Sequence, residues 1–141
     1  MELNERLFEM KLKGYCCSRT IMALGLEDLG KENEDLIAAM GGFCNGMENG
    51  KLCGTLAAAV ALLFLVDARA ADLELRAALM DWFYDQFGGY DCDEIINGDP
   101  TKKVTFCPGM VAETYRKLQD LLDGKLVADG AGGAGGQQAG R

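Results

Sequence analysis

Six cysteines and no histidine set the chemical repertoire of this 141-residue chain. Four of the cysteines stand where a helix is expected to begin: Cys17 before Ser-Arg-Thr, Cys53 before Gly-Thr, Cys92 before Asp-Glu and Cys107 before Pro-Gly. A helix N-terminus carries about half a positive charge and several unpaired N–H donors. That field favours thiolate over thiol and lowers a cysteine pKa from its usual ~8.5. Thiolates bind metals, carry iron–sulfur clusters and exchange disulfides. The missing histidine excludes Cys-His zinc sites, Cys-His nucleophile pairs and Ser-His-Asp triads. There is also no Cys-x-x-Cys pair. A single nucleophilic cysteine would need a carboxylate, a lysine or a second thiol as its base.

Helices must position these sulfurs. Leu3, Leu7 and Met10 recur at helical spacing, and Gly14 stops that segment. A second helix is expected from Cys17-Ser18 to Gly30, with Ile21, Met22, Leu24 and Leu26 inward. A third follows Asn33, a good N-cap, and ends at Gly41-Gly42. Residues 41–54, GGFCNGMENGKLCG, carry Cys44 and Cys53 and are rich enough in glycine to turn tightly or to approach other backbone closely.

Residues 55–68 are apolar all round, the pattern of a helix buried at the centre of a domain. Residues 73–87 form the next helix, with one stripe at Leu73, Ala77, Met80, Tyr84 and Phe87 and another at Leu75, Leu79 and Trp82. One helical turn is expected over residues 92–96. A last helix opens at Cys107-Pro108, with Val111, Tyr115, Leu118 and Leu122 buried. No useful strand alternation occurs. The predicted fold class is all-α: a compact bundle of about five to six helices, with a glycine-rich loop before a central buried helix.

The same features, taken in order, resemble the C_GCAxxG_C_C family, named for its cysteine pattern and regarded as redox proteins. The matching stretches are Gly14-Tyr15-Cys16-Cys17-Ser18, then Gly41-Gly42-Phe43 through Gly50-Lys51-Leu52-Cys53-Gly54, then Tyr90-Asp91-Cys92, and finally Phe106-Cys107-Pro108-Gly109-Met110-Val111. They span roughly residues 5–122. The resemblance implies that Cys17, Cys53, Cys92 and Cys107 are the family cysteines. Cys16 and Cys44 remain as secondary candidates. Thr55 stands in place of the alanine expected after Cys-Gly, and Ala58 where glycine is typical.

The expected function is that of a small redox protein. Its four clustered thiolates either hold a metal centre, iron–sulfur ahead of zinc, or run a dithiol–disulfide cycle. In both versions the same four cysteines are the catalytic, cofactor-binding or metal-binding residues. The rival is a non-catalytic helical adaptor whose cysteines are small core hydrophobes.

Composition bounds the partners. Net charge is −8 and the densest basic pair is Lys102-Lys103, so nucleic acid is not an expected partner. A glycine-rich phosphate loop fails in detail, because Gly50-Lys51 is followed by Leu52. Asp81, Asp85, Asp93 and Glu94 read as a solvated face. The longest apolar run, residues 56–66, is short of the ~20 residues a membrane span needs, and the charged N-terminus is unlike a secretory signal. A cytoplasmic location is expected, with a redox protein or enzyme as partner and a homodimer plausible on base rates. One domain is expected over residues 1–126, followed by a flexible Gly/Ala-rich tail over 127–141.

Overall fold

The computed structural model describes residues 2–126. Residues 127–141, expected as a tail, lie outside the described residues. The helices are α1 (Leu3–Leu12), α2 (Cys17–Leu29), α3 (Glu34–Met40), α4 (Gly54–Ala70), α5 (Arg76–Phe87), α6 (Cys92–Ile96), α7 (Lys102–Thr105) and α8 (Cys107–Leu121). The all-α expectation holds. Among the described residues the only extended pairing outside the helices is one antiparallel bridge, Leu52 with Asp91. No helix among these residues is long and apolar enough to cross a membrane.

Local chemistry explains most helix ends. Asn33 accepts the Leu36 N–H at 3.0 Å and starts α3. Reciprocal capping boxes start α1, between Glu2 and Glu5, and α6, between Asp91 and Glu94. The helix after α4 begins differently from the expectation. The helical path breaks at Asp67, with φ −155° and ψ 86°. The Asp67 carboxylate then accepts the Ala70 N–H at 3.1 Å, as an N-cap residue does. The chain continues from there into α5 without a loop.

The residues buried on α5 differ in part from the expected stripe. Leu79 and Phe83 are the fully buried residues, whereas Leu73 and Tyr84, expected inside, are 68% and 49% exposed. Trp82 and Phe87 pack edge-on at 5.5 Å and cover the flank of the core.

α4 is central, packed against α2, α5 and α8. Leu56, Ala58, Ala59, Leu62 and Leu63 are buried on it, facing Ile21, Leu24, Tyr115 and Leu118 within one core. A Cβ at Gly25 would collide with the Leu62 methyl groups, so α2 and α4 cross close together at that point. Gly54 meets backbone first instead of a side chain. A Cβ there would lie 2.5 Å from the Phe43 carbonyl oxygen and 3.2 Å from Ser18 Cβ. Because the first obstacle is backbone, Gly54→Ala should cost about 1–3 kcal/mol in urea denaturation. A stability loss below a few tenths would show that this approach is not close.

Candidate functional site

Each of the four helix-start cysteines occupies such a position. Cys17, Cys92 and Cys107 are the first residues of α2, α6 and α8, and Cys53 is the N-cap of α4. What joins them is the short bridge between Leu52 and Asp91. The Cys53 N–H donates to the Tyr90 carbonyl at 2.8 Å, and the Cys92 N–H donates to the Lys51 carbonyl at 2.8 Å. The two segments are thereby clamped side by side, and the Cys53 and Cys92 side chains line one cavity as neighbours that perturb each other's ionisation. Cys17 and Cys107 complete the lining of the same cavity, of about 80 Å³, with Thr55, Lys103, Asn45 and Met110 among its other walls.

The electrostatics differ from thiol to thiol. Cys53 is held below the ordinary thiol range. The cause is first the neighbouring Cys92 thiol, then the backbone N–H groups of Leu56 and Thr55, which outweigh its burial. This is the helix-start effect expected from the sequence. The other three run against that expectation. Cys92 is raised first by the neighbouring Cys53, and burial adds to this. Cys17 is raised chiefly by burial. Burial, then the neighbouring Cys17 and Cys92, push Cys107 up to about 11, with Lys103 opposing. Desolvation outweighs the helix field wherever a thiol lacks a donor of its own.

A raised thiol pKa gives a clear sign. Folding favours the Cys107 thiol at pH values below its unfolded pKa, and this contribution is lost as pH rises through the folded value. In the native protein, Cys107 alkylation by iodoacetamide should therefore rise through about pH 11 rather than near 9.0. Peptide mapping after timed quenching reads this directly. A midpoint near 9 would remove the burial argument.

Cys16 and Cys44, the secondary candidates, form a disulfide with Cα atoms 5.9 Å apart. The adjacent cysteines 16 and 17 thus diverge: Cys16 pairs with the glycine-rich segment, while Cys17 faces the cavity. Beyond Cys44 the chain makes a left-handed turn at Asn45, Gly46, Met47 and Glu48, with φ between 54° and 63°. Such a conformation costs non-glycine residues about 1–2 kcal/mol each. The Glu48 N–H returns to the Cys44 carbonyl at 2.9 Å and closes the turn. Ser18 Oγ lies 3.4 Å from Cys16 Sγ and 3.7 Å from Cys44 Sγ while donating to the Met40 carbonyl at 2.7 Å.

Among the described residues, no three or more Cys, Asp or Glu side chains are arranged to hold a metal ion. The four cavity thiols have the right donor chemistry for a thiophilic metal, but their positions do not make a ligand cage. Sequence reasoning did not single out three other residues of the site. Thr55, noted only as a departure from the family's alanine, puts a buried hydroxyl beside Cys17 and Cys53 with no hydrogen-bond partner of good geometry. Lys103 had shown only as half of a basic pair. Ser18 had shown only as the residue after Cys17.

No curated protein and no solved structure matches the chain. The sequence profile of one family matches residues 15–121, which include all six cysteines and every wall of the cavity. The chain belongs to the family described as "Putative redox-active protein (C_GCAxxG_C_C)".

Proposed function

We propose that this redox-active protein works by dithiol–disulfide exchange, with Cys53 and Cys92 as the two-electron couple and Cys17 and Cys107 as flanking thiols of the same site. The observation that carries the reading is the backbone clamp across the Leu52–Asp91 bridge, Cys53 N–H to the Tyr90 carbonyl and Cys92 N–H to the Lys51 carbonyl, which sets the two cysteines side by side on one cavity. Two cysteines held on paired backbone segments can close a bond without large backbone movement. The unequal acidity of the pair assigns the roles. Cys53 is 3% exposed and Cys92 is half-buried, so an incoming sulfur meets Cys92 first.

Starting from the oxidised couple, a thiolate of a partner dithiol attacks Cys92 Sγ. The Cys53–Cys92 bond breaks, and Cys53 leaves as a thiolate stabilised by the N–H groups that open α4. The partner's second thiol then attacks its own sulfur in the mixed disulfide. It gives up its proton to Cys92, which is released as a thiol. The partner departs as a disulfide, having lost two electrons, and the couple holds them as one thiolate and one thiol. A low-pKa leaving group speeds the first of these steps. The expected partner is a redox protein or enzyme.

Oxidation of the purified protein with diamide, followed by alkylation and peptide mapping, tests the reading. A Cys53–Cys92 crosslink supports it. Free Cys53 and Cys92 after complete oxidation would overturn it. Retention of stoichiometric iron or zinc after anaerobic purification would favour the thiolate–metal alternative instead.

A further inference from the structure

A second concavity, of about 200 Å³, opens against the outer side of the same cysteines. It is walled by α1, by the start of α2 with the residues before it, by α7 and by the start of α8, and Lys11, Cys16, Cys17, Lys103 and Cys107 are among its lining residues. Cys17, Lys103 and Cys107 are common to this groove and the inner cavity. Cys16 faces the groove, and its disulfide partner Cys44 is not among the walls. In a chain of net charge −8, the charged residues that line the groove among the described residues are two lysines, Lys11 and Lys103. The volume is below the ~300–1,000 Å³ of a drug-sized site. It suits a compound of a few heavy atoms.

We infer that this groove binds a small anionic thiol, carboxylate- or sulfonate-bearing, which reduces the Cys16–Cys44 disulfide. The anion is drawn by Lys11 and Lys103, and its thiolate meets Cys16 Sγ. The Cys16–Cys44 bond breaks, and Cys44 leaves as a thiolate and takes a proton from water. A mixed disulfide between Cys16 and the small thiol remains. A second molecule of the thiol attacks the small-molecule sulfur of that mixed disulfide. Cys16 leaves as a thiolate and the two small thiols depart as their disulfide. Two electrons pass from two thiols to one protein disulfide. This rests on the redox reading of the site and adds a second couple with its own reductant.

The test uses three thiols of equal length on the full chain: 2-mercaptoethanesulfonate, 2-mercaptoethanol and cysteamine. Rates of Cys16–Cys44 reduction are read by acid quenching, alkylation and peptide mapping. They are corrected for thiolate fraction and nucleophilicity. Two nearby cations should favour the sulfonate over the ammonium compound by about tenfold at low salt. At about 1 M salt, where the screening length is ~3 Å, the preference should collapse. In Lys11→Glu with Lys103→Glu it should reverse.

The overall charge of the protein favours the opposite order. A rate for cysteamine equal to or above that for the sulfonate would therefore overturn the inference, and so would an order unchanged by the double substitution. If Cys53 and Cys92 cycle while Cys16–Cys44 is reduced without regard to thiol charge, the groove fails alone. If the charge order holds while Cys53 and Cys92 stay inert, the redox reading of that pair fails and the groove stands.

Discussion

Arg6→Ala should destabilise the protein by about 3–5 kcal/mol, the range for breaking one side of a buried ion pair. Arg6 on α1 donates from Nη2 to Asp28 Oδ1 on α2 at 2.8 Å, and the two side chains are 8% and 2% exposed. Tyr115 on α8 donates to the other Asp28 oxygen at 2.5 Å. Burial and the Asp28 carboxylate raise the Tyr115 phenol well above its ordinary range, so it stays a donor. Without Arg6, Asp28 would be left as a buried charge with one neutral partner. If uncompensated charge is the cause, Arg6→Leu combined with Asp28→Leu and Tyr115→Phe should lose less than Arg6→Ala alone. Urea denaturation of both variants checks this. A loss under 1 kcal/mol for Arg6→Ala would mean that the network is not what joins α1 to α2 and α8. These three helices also wall the outer groove, so its shape depends on the same contacts.

The second large effect is expected at Cys53. Cys53→Ser should abolish the Cys53–Cys92 disulfide and slow thiol–disulfide exchange by about a hundredfold or more, because the low-pKa leaving group is gone. It should also release Cys92. In the native protein the neighbouring Cys53 and burial raise the Cys92 thiol, which disfavours its thiolate. With a serine hydroxyl in place of a thiolate, Cys92 alkylation should shift to lower pH.

Stability carries the matching sign. A depressed thiol pKa contributes stability that is present above the unfolded value, ~8.5, and is lost as pH falls through the folded value. The stability gap between the native protein and Cys53→Ser should therefore widen as pH rises from the folded toward the unfolded pKa. Cys92 alkylation with an unchanged pH profile in the variant would contradict the coupling of the two thiols.

Most of the helices and the helix-start cysteines were legible in the sequence because caps and apolar spacing are local signals, whereas the short α7 carries no such signal. Asn33, the glycine-rich segment and the Val111–Tyr115–Leu118–Leu122 stripe each carry their own physics. Three features were not legible, for separate reasons. The pairing of Cys16 with Cys44 joins residues 28 apart in the chain, and no spacing rule encodes it. The Leu52–Asp91 bridge is too short to leave a strand pattern, yet it brings Cys53 to Cys92. Arg6 reads as a solvent residue on an amphipathic helix until Asp28 and Tyr115 surround it.

The thiol acidities show a competition that residue types alone do not decide. All four cysteines share the helix-start position, and only Cys53 has enough hydrogen-bond donors to overcome burial.

The central claim is that Cys53 and Cys92 form one two-electron couple. Equilibrating the protein across a series of glutathione redox buffers, with alkylation and mass mapping of all six cysteines, tests it most directly. The prediction is that Cys53 and Cys92 are protected together, in a single two-electron transition, as one crosslinked pair. Cys53 and Cys92 titrating independently, or remaining free while other pairs oxidise, would contradict it.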